Sequence, residues 1–185
     1  MTRPALSVAD WISLSRVGLA FIFVGSFRSE PGTMLTVSIA AAVLAQISDH
    51  LDGFLARRGG SASVRGWLFD SVGDRAFYIA ALLAFGREYQ ISESLVWLFV
   101  MREIALYAFR VAVGDFEIRR PGFRTLALAH AGLVRLGIFF GCALPFDVLP
   151  FDIRTYSTST LTYIFVVASL FGYVCLALLL IPQRR

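Results

Sequence analysis

The apolar positions of the chain fall into six runs separated by short polar stretches. The runs are Trp11–Phe27, Met34–Arg57, Val64–Phe85, Ser94–Val113, Thr125–Leu144 and Ser157–Ile181. Each is close to the roughly 20 residues a helix needs to cross a bilayer core at about 1.5 Å per residue. The last is the cleanest, with no charged side chain anywhere between Ser157 and Ile181. Breakers mark the connections: Pro31-Gly32, the polar Arg87–Glu93, Gly114–Arg124 with Pro121-Gly122, and Pro145–Tyr156 with two prolines. Arg57-Arg58-Gly-Gly-Ser-Ala-Ser forms a short polar link between the second and third runs. The pattern predicts an all-α polytopic membrane protein with six transmembrane helices in one bundle. It predicts one domain over residues 1–185, with residues 1–10 a candidate interfacial segment. Arg16 inside the first run, and the lack of a small-x-small site after it, argue against a cleaved leader.

Composition sharpens this picture. Apolar residues make up 57% of the chain and the mean hydropathy is +0.71, above the usual range of a soluble domain. The formal charge is +4, and every basic residue apart from histidine is Arg. The arginines stand mostly at the ends of apolar runs, where they suit lipid headgroups and phosphates rather than a nucleic acid. Six spans put both termini on one side. That side collects Arg3, Arg57, Arg58, Arg65, Arg119, Arg120, Arg124, Arg184 and Arg185, against Arg28, Arg87 and Arg154 on the other. The imbalance places the termini and the link after Arg57 in the cytoplasm. The expected location is the bacterial inner membrane. Cys142 and Cys175 lie at different depths in this topology, so they are expected to be small core residues without a disulfide.

Ionisable groups inside apolar runs are costly and usually functional. Asp49 and Asp52 are three apart, and Asp70 and Asp74 are four apart. On helices both spacings put the paired carboxylates on one face. Four carboxylates brought together repel, and two divalent cations would neutralise them. Oxygen donors without cysteine favour Mg²⁺ or Mn²⁺ over Zn²⁺. His50 adjoins Asp49 but points about 100° away on a helix, which makes it a neighbour rather than a ligand. Gly53, Ala56 and Gly66 leave room beside the acids for a bulky anion, although close helix packing would also account for the glycines.

The stretch resembles the signature of the CDP-alcohol phosphotransferase family, D-x2-D-G-x2-A-R-x8-G-x3-D-x3-D. Asp49, Asp52, Gly53, Ala56, Arg57, Gly66, Asp70 and Asp74 match every fixed position. The resemblance implies that Asp49, Asp52 and Asp70 hold the metals. It implies that Asp74 touches a metal and also acts as the catalytic base. Gly53, Ala56, Arg57 and Gly66 would then bind the CDP-lipid. The implied reaction is attack of an acceptor hydroxyl on the β-phosphorus of CDP-diacylglycerol, with release of CMP, in a homodimer. Asp10–Arg16 resembles the family's N-x-L-T-x-x-R entry to its first helix. Arg16 there either faces substrate phosphates or snorkels at a helix end.

The acceptor is read from the remaining arginines. Arg102-Glu103-Ile104 with Arg110 eight residues on resembles the R-E-I-x5-R of phosphatidylglycerophosphate synthases. Arg102 and Arg110 share a helix face, and with Arg124 they are expected to surround an acceptor phosphate. Glu103 points about 100° away from Arg102 and is expected to be a poor partner for it. Glycerol 3-phosphate is the first-choice acceptor. Asp70-Ser71-x-x-Asp74-Arg75 looks more like inositol-phosphate users, which makes inositol phosphate the alternative. Serine as acceptor, an aspartate-rich prenyltransferase and a non-enzymatic ion carrier are more distant readings.

Overall fold

A computed structural model of the chain describes residues 7–58, 64–113, 123–146 and 153–180. Among them there are six helices and no strand. These are α1 (Val8–Ser26), α2 (Thr33–Arg58), α3 (Val64–Tyr89), α4 (Glu93–Val113), α5 (Phe123–Ala143) and α6 (Ile153–Leu180). The six apolar runs therefore become six helices, each reaching beyond its run at one or both ends. α1 starts early because Ser7 and Asp10 form a capping box. The Asp10 N–H donates to the Ser7 hydroxyl at 3.1 Å, and the Ser7 N–H donates to the Asp10 carboxylate at 2.9 Å. Two otherwise orphaned helix donors are satisfied in this way. α3 continues through Gly86, Arg87 and Glu88 and stops before Gln90, whose φ of 54° lies in the left-handed region. The predicted turn at Pro121-Gly122 and the candidate loop arginines Arg119 and Arg120 lie outside the described residues.

Within α1, α2, α5 and α6 there are four segments long and apolar enough to cross a membrane: Val8–Ser26, Thr33–Asp52, Thr125–Ala143 and Thr158–Leu178. α3 and α4 are as long but carry more charge, including Asp70, Asp74 and Arg75 on α3 and Arg102 and Glu103 on α4. Polarity runs inside out. Phe21, Trp97, Leu128 and Tyr163 face outward, while Asp10, Ser13, Arg16, Asp52, Arg102, Glu103 and His130 are buried. Lipid tolerates such an apolar exterior and makes inward-facing ionisable groups the cheaper arrangement. This is an integral membrane protein. Hydroxyls on these helices turn back onto their own backbone. Ser26 donates to the Ile22 carbonyl, Ser38 to Leu35, Ser48 to Ala45, Thr162 to Thr158 and Ser169 to Phe165, all at 2.7–2.8 Å.

Contacts divide the chain into two compact units, Met1–Ala84 and Phe85–Arg185. In the first, α1 packs on α2. Phe23 stacks on Phe27 with ring centroids 5.3 Å apart, and Phe77 of α3 tilts against Phe23 at the same distance. In the second, α6 packs on both α4 and α5. There Phe165 meets Phe99 edge-on at 6.0 Å, and Phe85 lies 6.2 Å from Phe165. Cys142 and Cys175 are free and buried, as expected of small core residues.

The second unit also holds a buried polar knot. Arg102 Nη1 donates to Glu103 Oε1 and lies 2.8 Å from His130 Nε2. His130 Nδ1 sits 2.8 Å from the Ala168 carbonyl of α6, which can only accept. Nδ1 therefore carries a hydrogen, while Nε2 lies between Arg102 Nη1 at 2.8 Å and Glu103 Oε1 at 3.1 Å. Gly172 makes room for the arginine: a Cβ there would fall on Nε and 2.5 Å from Cζ. Two sequence expectations change here. Glu103 is a partner of Arg102, because the long arginine side chain curls back where a helical-wheel angle suggests separation. Arg102 is only 1% exposed. It is committed to Glu103 and His130, so it does not present an open surface to an acceptor phosphate.

Candidate active site

The four aspartates of the signature meet in the first unit, around one guanidinium. α2 is uncharged as far as Ser48 and then presents Asp49 and Asp52 one turn apart. α3 presents Asp70 and Asp74, likewise a turn apart. From α1, Arg16 reaches between them. Its Nη1 lies 3.3 Å from Asp49 Oδ1 and also donates to Asp74 Oδ1. Its Nη2 donates to Asp70 Oδ1 at 2.7 Å and to Asp52 Oδ2. Neither sequence reading of Arg16, toward substrate phosphates or snorkelling at a helix end, describes this position. The side chain is 1% exposed and belongs to the acids.

The four acids are not equivalent. Asp52 is the most buried, and it also accepts a 2.6 Å hydrogen bond from the Ser13 hydroxyl. Asp49 and Asp74 are partly open, and Asp70 is the most open, at 41%. Ser13 and Arg16 are three apart on α1, so one face of that helix supplies both contacts. Close approach of α1 to α3 depends on Gly73. A Cβ at that position would lie 2.6 Å from the Ser13 carbonyl oxygen and 3.3 Å from Arg16. Ser13 stands at the Thr position of the N-x-L-T-x-x-R pattern, whereas no sequence signal singled out Gly73, because its importance arises only where two helices distant in sequence cross.

Asp49, Asp70 and Asp74 each offer a carboxylate oxygen within 4.8 Å of the others, close enough to hold a metal ion. An all-oxygen donor set suits a hard divalent cation. Asp52 stands outside that trio, tied to Ser13 and Arg16. His50 is 72% exposed, with Nδ1 turned to its own helix at the Gln46 carbonyl, 2.9 Å away, and 3.9 Å from Asp49. This agrees with its reading as a neighbour. Gly66 is half-buried in the first turn of α3. Gly53, Ala56 and Arg57 continue α2 beyond Asp52, and Arg110 and Arg124 lie on α4 and α5. The side chains at these five positions lie outside the described ones.

The structure is a helical membrane protein in which the acids of the signature come together from two helices. The family model for CDP-alcohol phosphatidyltransferase matches residues 6–181, and the chain belongs to that family of enzymes. It is also similar to a CDP-diacylglycerol–glycerol-3-phosphate 3-phosphatidyltransferase of Mycoplasma genitalium. The two are 26% identical over 122 aligned residues, which cover 56% of this chain and 51% of the relative. The chain thus spans about half the length of the curated relative it matches.

Proposed function

We propose that this protein transfers the phosphatidyl group of CDP-diacylglycerol to a hydroxyl of glycerol 3-phosphate and releases CMP. The observation that carries the reading is the trio Asp49, Asp70 and Asp74 at metal-holding separation beside Arg16. The named activity of the Mycoplasma relative supports the choice of acceptor. We assign Asp49, Asp52, Asp70 and Asp74 to two divalent cations, Mg²⁺ or Mn²⁺. When bound, these would polarise the phosphoryl oxygens and stabilise the departing CMP. Asp74, on the partly open side of the cluster, takes the proton of the acceptor hydroxyl as its oxygen bonds to the β-phosphorus. The bond from that phosphorus to the CMP oxygen breaks in the same displacement. Gly53, Ala56, Arg57 and Gly66 flank the acids along α2 and α3 and are assigned to the nucleotide. Arg110 and Arg124 are assigned to the acceptor phosphate. The reading includes a cytoplasmic site in the bacterial inner membrane and a homodimer. Mass measurement in native-like lipid checks the dimer, and a monomer is the contrary result.

The test is CMP release by purified protein given CDP-diacylglycerol, Mg²⁺ or Mn²⁺, and a panel of acceptors. Release is expected to require the metal and to be fastest with glycerol 3-phosphate. The Asp70-Ser71-x-x-Asp74-Arg75 pattern keeps inositol phosphate as the second acceptor in the panel. Turnover with unphosphorylated serine or inositol, and none with either phosphate, would overturn the acceptor assignment. Absence of any metal-dependent CMP release with every acceptor in the panel would overturn the proposed reaction.

A further inference from the structure

The acids that can hold a divalent ion are the same ones that Arg16 already holds. Asp49, Asp70 and Asp74 form the metal-capable trio, and each accepts from an Arg16 Nη at its Oδ1. A divalent ion binds such oxygens at about 2.0–2.6 Å. It would therefore stand within a few ångströms of the guanidinium, where like charges repel. Arg16 cannot lower its charge to avoid this, because a guanidinium stays protonated in proteins. Nor is its seat saturated. Arg16 Nε is buried and has no hydrogen-bond partner. The side chain is thus held by charge through Nη1 and Nη2, while a third donor on the same plane is unused. Asp52, which also accepts from Ser13, is bonded to Arg16 as well, so the guanidinium touches all four of the acids assigned above to the cations.

We infer that Arg16 is a built-in cation that competes with the divalent ion for Asp49, Asp70 and Asp74. It keeps the four carboxylates together and at the same time weakens their hold on metal. This rests on the metal reading above. The competition has a defined direction: neutralising Arg16 removes the rival cation, so the acids bind a divalent ion more tightly. If Arg16 instead braced the acids into a metal-ready geometry, the same substitution would weaken binding.

The experiment titrates Mn²⁺ into purified, detergent-solubilised wild type and Arg16→Gln, following free Mn²⁺ by electron paramagnetic resonance, and melts both proteins with and without the metal. Arg16→Gln is expected to bind Mn²⁺ about tenfold more tightly, a typical size for coupled sites. Its melting temperature without metal should fall, and the rise on adding Mn²⁺ should exceed that of the wild type. Arg16→Lys keeps a charge but not the planar fork that spans several carboxylates. It carries the test if Arg16→Gln does not fold, and a smaller gain in Mn²⁺ affinity is expected of it. Unchanged or weaker Mn²⁺ binding in the folded variants overturns the competition and leaves the metal site standing. A wild type that binds no Mn²⁺ overturns the metal reading and this inference with it.

Discussion

Asp74→Asn is expected to lower turnover by about 10²–10⁴-fold, the range a positioned general base contributes, in protein that still folds. The amide has nearly the shape of the carboxylate, so the crossing of α1, α2 and α3 survives. Arg16 loses one charged partner and keeps Asp49, Asp52 and Asp70. An amide cannot take the proton of the acceptor hydroxyl, and its neutral oxygen is a weaker metal ligand. The two losses separate by experiment. CMP release at saturating Mn²⁺ isolates the proton transfer, while the Mn²⁺ concentration needed for half-maximal rate reports the ligand. Asp70→Asn should shift chiefly the second quantity. An Asp74→Asn enzyme that runs near the wild-type rate once Mn²⁺ saturates would take the base role away from this residue.

Glu103→Leu should destabilise the protein by about 3–5 kcal/mol, the usual cost of removing one partner from a buried ion pair. Arg102 and Glu103 are both almost wholly buried. Without Glu103, the guanidinium is left, among the described residues, with the His130 Nε2 contact. Gly172 backs it so closely that Gly172→Ala would also force it to move. Replacing both partners, Arg102→Leu with Glu103→Leu, removes the buried charge altogether. That double variant should therefore be less damaged than Glu103→Leu alone. Unfolding in detergent, followed by circular dichroism, gives the comparison. Equal stability of the wild type and Glu103→Leu would mean that the knot contributes nothing.

The sequence made some of this legible and hid the rest for identifiable reasons. Helices announced themselves because lipid-facing runs must be apolar throughout, and the ends were misjudged where caps, rather than hydropathy, decide. Ser7 starts α1 before the apolar run begins, and Gln90 ends α3 after the run has stopped. The four aspartates were legible because their spacings are local and read directly on a helix. Arg16 was legible as a motif residue but its partners were not, because they lie 33 to 58 residues away and only the packing of α1 brings them within reach. Arg102 misled for the opposite reason. A wheel diagram places neighbouring residues apart, but it carries no information on how a long side chain bends, or on a histidine arriving from another helix. Asp10 matched the motif at the entry to the first helix, and the structure uses it in that helix's capping box.

The serines and threonines that bond back to their own helices have a consequence for how the chain enters lipid. On paper, Ser26, Ser38, Ser48, Thr162 and Ser169 make their segments more hydrophilic. In place, each hydroxyl proton is already given to a carbonyl one turn back. The insertion machinery therefore meets hydroxyls whose protons are already placed within their own helix, which lowers the desolvation cost of carrying them into hydrocarbon. The side chains act there as small spacers, and the segments partition as though they were greasier than their letters suggest.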